Sequence, residues 1–150
     1  SHNFEVHALI VSDKKTNFLS KSVYIAFSKL FKSEKDAFDF ILMNYHDLDE
    51  KPILIPYSDG AALELDKRLN SFSNSFLVPS ISNKQGEISK FMNKEFQYNF
   101  AKENNIKMAN TKVLNFDETA EINDSNIKFP CILKPLVSAE GDKKDISIVI

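Results

Sequence analysis

The sequence predicts an α/β fold built on a parallel sheet, and three observations carry that prediction. Apolar runs of strand length stand at residues 4–11, 52–56 and 76–78. Segments with helical spacing separate them. Turn-forming residues close them: Ser12-Asp13 after the first, Ser58-Asp59-Gly60 after the second and Pro79 after the third.

Phe4-Glu5-Val6-His7-Ala8-Leu9-Ile10-Val11 begins as alternation and ends as a continuous apolar run, the mark of a strand increasingly buried on both faces of a parallel sheet. Residues 20–31 carry strand-like Val23-Tyr24-Ile25 together with helical spacing, so both assignments stay open there. Ser33 followed three residues later by Asp36 opens a helix, and Ala37, Phe40, Ile41 and Tyr45 continue it on one face to Asp47. Pro52-Ile53-Leu54-Ile55-Pro56 is a short strand bounded by prolines, Ala62, Leu65 and Leu69 mark the next helix, and Phe76-Leu77-Val78 is a strand ended by Pro79.

Residues 80–91 are polar and contain Gly86, which predicts a linker and a boundary near residue 80, with one domain over 1–79 and a second over 80–150. Beyond it, residues 93–104 read as a helix with Phe96, Phe100 and Ala101 on one face and Asn104-Asn105 at its end. Thr111-Lys112-Val113-Leu114 is a strand candidate. An acid-rich stretch over 117–126 precedes a strand in Phe129-Pro130-Cys131-Ile132-Leu133-Lys134-Pro135, and Ile146-Ser147-Ile148-Val149-Ile150 alternates like a last one. Ser1-His2 in place of an initiator methionine, and so abrupt a strand at the other end, lead to the expectation of a piece of a longer protein.

Composition removes several classes of function. Gly60, Gly86 and Gly141 are the only glycines, 26 and 55 positions apart, so neither a G-x-G-x-x-G turn, a Walker-type phosphate loop nor a G-x-S-x-G nucleophile elbow can be written. The formal charge of -2 is spread evenly over the two halves, and no basic tail points to nucleic acid. No stretch approaches the roughly 18 apolar residues of a membrane helix, the start lacks the layout of a signal peptide, and a single cysteine suits a reducing compartment. The expectation is a cytoplasmic protein with neither nucleic acid nor membrane as partner.

The residues that carry chemistry are few. Cys131-Ile132-Leu133 delivers Lys134 at the end of an apolar strand, and Ser138-Ala139-Glu140-Gly141 follows within a turn. A lysine on a rigid strand and a loop of small residues suit a polyphosphate; the same pattern is also written by a solvated lysine running into a hairpin. Lys94 begins a helix, where backbone donors favour anions, or is an ordinary exposed lysine. Asp59, beyond the carboxyl end of a strand, stands either against a substrate or, the commoner use of its residue type, at the N-cap of the next helix. His46-Asp47-Leu48-Asp49-Glu50 matches no zinc or EF-hand spacing and reads as a solvated helix end. Cys131 reads as a buried inert thiol, His2 and His7 have no partner in sight, and no Ser, His and Asp set can be assembled by spacing.

At these residues the chain resembles the ATP-grasp superfamily of ligases, in the branch of the carbamoyl phosphate synthase large subunit and related carboxylate–amine ligases. The matching text is Lys51-Pro52-Ile53-Leu54-Ile55-Pro56-Tyr57-Ser58-Asp59, then Asn93-Lys94 opening a helix that ends in Glu103-Asn104-Asn105-Ile106, then Phe129-Pro130-Cys131-Ile132-Leu133-Lys134-Pro135. The resemblance implies a Rossmann-like pre-ATP-grasp sheet, lacking its first strand, followed by the beginning of a small α+β nucleotide-binding subdomain. It implies that Lys94 and Lys134 contact ATP, that Ser138, Ala139, Glu140 and Gly141 form the loop over the phosphates, and that no catalytic residue and no metal ligand lies in this stretch. The family usually writes Asp where this chain has Asn93, and a loop richer in glycine.

The function so implied is ATP-dependent activation of a small-molecule carboxylate as an acyl phosphate, which an amine attacks, with Mg²⁺ ligands in a later lobe. Residues 1–150 by themselves would be inactive. A homodimer is compatible with the same resemblance. The alternative is a non-catalytic α/β module that binds a metabolite or a protein.

Overall fold

The computed structural model describes residues 4–14, 18–113, 131–132, 134 and 148–149. They form a mixed α/β protein that divides into two compact units, Ser1–Gln85 and Gly86–Ile150.

In the first unit, β1 (His7–Val11) and β2 (Phe27–Phe31) pair in parallel, from His7 opposite Phe27 to Val11 opposite Phe31. Parallel neighbours need a long crossover, and residues 12–26 supply it with a short 3-10 helix at Phe18–Lys21. The Val23-Tyr24-Ile25 run is therefore not a strand: Ser22 Oγ accepts from the Tyr24 N–H (3.4 Å), Ser22 O accepts from the Ile25 N–H (3.2 Å), and this turn leaves Val23 and Tyr24 in solvent. The ladder begins one step later, with the Ala26 N–H donating to Val6 O at 2.9 Å.

Helix α1 (Glu34–Tyr45) starts as the Ser33/Asp36 spacing predicts, with Ser33 Oγ accepting from the Asp36 N–H at 3.1 Å. It buries Ala37, Phe38 and Ile41 and closes at His46. On the sheet face that carries His7, Phe27 and Phe31, Phe40 lies parallel to Phe27 (6.3 Å between centroids), and Lys29 Nζ sits 3.9 Å above the Phe40 ring.

The two proline-bounded runs meet at one parallel bridge, Ile53 opposite Leu77, made by Leu54 N–H to Leu77 O and Leu77 N–H to Pro52 O, both 2.9 Å. Pro52, Pro56 and Pro79 lack the N–H groups a longer ladder needs. Helices α2 (Asp59–Lys67) and α3 (Leu69–Phe72) connect them. Phe38, Ile41, Leu65, Phe72 and Phe76 form the core, with Leu9, Leu54 and Val78 packed against it.

Arg68, the only arginine of the chain, pins the core from outside. It donates to Asp39 at 2.7 Å and Glu64 at 3.4 Å, and its guanidinium stands 5.6 Å from the Phe72 ring. The hydrogen bond from Arg68 is the largest reason the Asp39 carboxyl titrates below its ordinary value of 3.8; Lys35 lowers it further, and partial desolvation opposes both. A carboxyl depressed in the folded state stabilises the fold above its unfolded pKa, and that contribution disappears as pH falls through the folded one. Thermal melts are expected to drop more steeply with acid in the wild type than in Asp39→Asn, below about pH 4. Parallel acid slopes for the two proteins would contradict the assignment.

Residues 80–91 are more ordered than their polar composition predicts. Ile81–Lys84 closes on itself through a Lys84 N–H to Ile81 O bond of 3.1 Å, with Ser82 (φ 53°) and Asn83 (φ 54°) both left-handed, as a type I′ turn requires. Gly86, at φ 88°, then starts α4 (Glu87–Met92), a six-residue helix too short to announce itself by periodicity.

In the second unit α4 runs into α5 (Lys94–Glu103), whose Ala101 is buried. The Thr111-Lys112-Val113 part of the predicted strand is not strand; Thr111 Oγ1 donates to Ala109 O at 3.0 Å. Leu114 and the acid-rich stretch lie outside the described residues. β3 (Cys131–Ile132) pairs antiparallel with β4 (Ile148–Val149), Cys131 opposite Val149 and Ile132 opposite Ile148. Among the described residues no helix is long and apolar enough to cross a membrane.

Candidate functional site

Lys94 is the first residue of α5. The residue before it, Asn93, closes α4 with its N–H on Lys90 O (3.1 Å) and opens α5 by accepting from the Phe96 N–H on Oδ1 (3.0 Å). Gln97 reaches back across the corner, its amide donating to Phe91 O, and Phe91 packs edge-on against Phe96 (5.1 Å) and Phe100 (5.3 Å). Lys94 thus leaves the chain at a braced elbow and is half-buried.

Lys134 is exposed and follows β3 by two positions. The two lysines share the second unit but no element: one is the first residue of α5, the other follows β3 in the chain. Ser138, Ala139, Glu140 and Gly141 lie outside the described residues, in the stretch of chain between β3 and β4. Cys131, expected to be buried, is a free, half-buried thiol.

In the first unit Ser58, and not Asp59, caps α2: Ser58 Oγ accepts from the Ala61 N–H at 3.1 Å. Serine's short hydroxyl reaches that donor from the extended residue before the helix, which leaves Asp59 exposed in the first turn. The Glu34 carboxylate lies beside Gly60, where a Cβ would stand 2.7 Å from Oε1. Since that oxygen ends a flexible side chain, Gly60→Ala is expected to displace it and to stabilise the first unit by about 1 kcal/mol through helix propensity. A lowered denaturation midpoint would show that the Glu34 position matters more.

Among the described residues no group of three or more His, Cys, Asp or Glu side chains could hold an ion, and residues 46–50 are exposed.

His7 has partners that spacing could not reveal. Its Nδ1 is 2.7 Å from Tyr45 Oη, 38 residues away, and its Nε2 is 2.7 Å from Glu5 Oε1. Burial is the larger cause and the Glu5 charge the smaller by which the Tyr45 hydroxyl titrates above its ordinary range. The docking of α1 against β1 makes the His7–Tyr45 contact, which ties the start of β1 to the end of α1.

The first unit also carries a shallow apolar groove of ≈ 480 Å³, lined by Ile53, Leu54, Ile55, Pro56, Leu77, Val78 and Pro79. It offers no charged or polar side chain.

No family model, curated protein or solved structure matches the chain. Its chemistry is therefore read from its own residues. The groove suits apolar contact only, the Glu5–His7–Tyr45 chain is a polar tie, and the two lysines of the second unit suit anionic oxygens.

Proposed function

We propose that residues 4–150 form the front part of an ATP-dependent ligase of the ATP-grasp type, a Rossmann-like pre-ATP-grasp domain followed by the start of the nucleotide-binding subdomain. The observation that carries this reading is the position of its two lysines: Lys94 on the first residue of a braced helix and Lys134 just beyond a paired strand. Each ammonium is a compact point charge, which suits a triphosphate. The resemblance puts the Mg²⁺ ligands in a later lobe.

In this reading ATP transfers its terminal phosphoryl group to a carboxylate, and an amine displaces phosphate from the resulting acyl phosphate. Lys94 and Lys134 hold the phosphates in line and offset the charge that develops on the transferring group, a positioning and electrostatic role. Calorimetric titration of the full-length protein with ATP tests the reading: saturable heat is expected, with weak or no binding to residues 1–150 alone. Absence of ATP binding by the full-length protein would overturn it.

A second reading, a non-catalytic module, draws on the groove at Ile53 and Leu77. An apolar face without polar groups fits a protein partner better than a charged metabolite. It leaves the two lysines unexplained.

A further inference from the structure

We infer that the crossover between β1 and β2 is a contact for an anionic membrane surface. The inference concerns the first unit alone and is independent of the nucleotide reading.

Residues 14–33 hold five lysines and no acid, in a chain whose formal charge is -2. The even balance of the whole chain hides this local excess. A contact at the bilayer surface also needs no spanning helix.

The crossover is held in shape by its own main chain. The Ser22 N–H donates to Leu19 O (3.1 Å), the Ile25 N–H to Ser22 O (3.2 Å), and the Ala26 N–H then joins the ladder at Val6 O (2.9 Å). On this hydrogen-bonded loop Phe18 is 81 %, Val23 92 % and Tyr24 84 % exposed, with Leu19 at 41 %. Lys14 and Lys21 are exposed as well, and Lys21 stands between the apolar pairs Phe18-Leu19 and Val23-Tyr24.

That alternation suits a lipid interface. Apolar side chains enter the boundary between headgroups and acyl chains, while lysine stems follow them and keep their ammonium groups at the phosphates. Leu19 and Val23 have no π face, so stacking on nucleic-acid bases would leave them unused. Ser20, Lys21 and Ser22 divide the apolar residues into two separate pairs. A fluid interface accepts such pairs, whereas a protein partner needs a matching pocket for each.

The test pellets the full-length protein with vesicles of phosphatidylcholine alone and with vesicles containing about one-third phosphatidylserine. Binding is expected on the anionic vesicles, weakening as salt is raised, and is expected to be poor on phosphatidylcholine alone. The Val23→Ser/Tyr24→Ser pair is expected to weaken it about tenfold and Lys21→Ala about fivefold. All three side chains lie in solvent, so the melting temperature of these variants is expected to stay where it is. Tyr57→Ser alters an equally exposed tyrosine outside the crossover and is expected to bind as the wild type does.

No binding to the anionic vesicles, equal binding to both kinds, unchanged binding by the Val23→Ser/Tyr24→Ser pair, or an equal loss in Tyr57→Ser would overturn the inference. So would a Tyr24-dependent affinity for a single-stranded oligonucleotide in place of the vesicles, which would make the crossover a nucleic-acid contact.

Discussion

Phe72→Ala is expected to lower the melting temperature of the first unit by roughly 15–30 °C, the consequence of about 4 kcal/mol lost when a buried phenyl ring is deleted. Phe72 is fully buried, at 0 % exposure, and its ring meets Phe38 at 5.5 Å, Phe76 at 5.4 Å and the Arg68 guanidinium at 5.6 Å. Those neighbours come from α1, from the turn between α3 and Leu77, and from the corner between α2 and α3, so a cavity there loosens the packing of the helices around the core. Tyr57, 99 % exposed, is the control: Tyr57→Ala removes an aromatic ring of similar size with little change expected. Thermal unfolding followed by circular dichroism reads both. Equal effects of the two substitutions would mean that the core is not centred on Phe72.

The second large effect is on binding. Lys134→Ala is expected to weaken ATP binding by the full-length protein roughly 10- to 100-fold, the range of a lost charge-assisted contact to phosphate. Lys134 is exposed, so its contribution is expected to shrink as salt is raised. Lys134→Arg keeps the charge with a different donor geometry and is expected to fall between the two. Adenosine, which lacks the phosphates, is the control ligand. Unchanged ATP affinity in Lys134→Ala would remove this lysine from the proposed site.

How much of this was legible in the sequence depends on the reach of each interaction. Helix α1 and helix α5 could be read because their determinants are local: Ser33 and Asn93 reach a backbone N–H only three residues on, and the apolar faces repeat within the helix. The same locality made Lys94 recognisable as a helix-start residue. At Val23-Tyr24-Ile25 propensity pointed to a strand, but pairing decides strands, and the partner of His7 is Phe27. The cap of α2 is Ser58 because a serine one position earlier meets the Ala61 N–H that Asp59 was expected to serve. Helix α4 escaped notice because six residues in a polar setting give too little periodicity to count. The His7–Tyr45 contact is the plainest case: it forms only when α1 docks against β1, and no spacing announces a contact across 38 residues.

The central claim is that Lys94 and Lys134 serve one nucleotide. Amide chemical shifts followed through an ATP titration of the isotopically labelled full-length protein test it most directly. Signals of Lys94, Glu95 and Lys134 are expected to move together and to fit a single dissociation constant. Movement at only one lysine, two different constants, or no movement at either would contradict a shared nucleotide site.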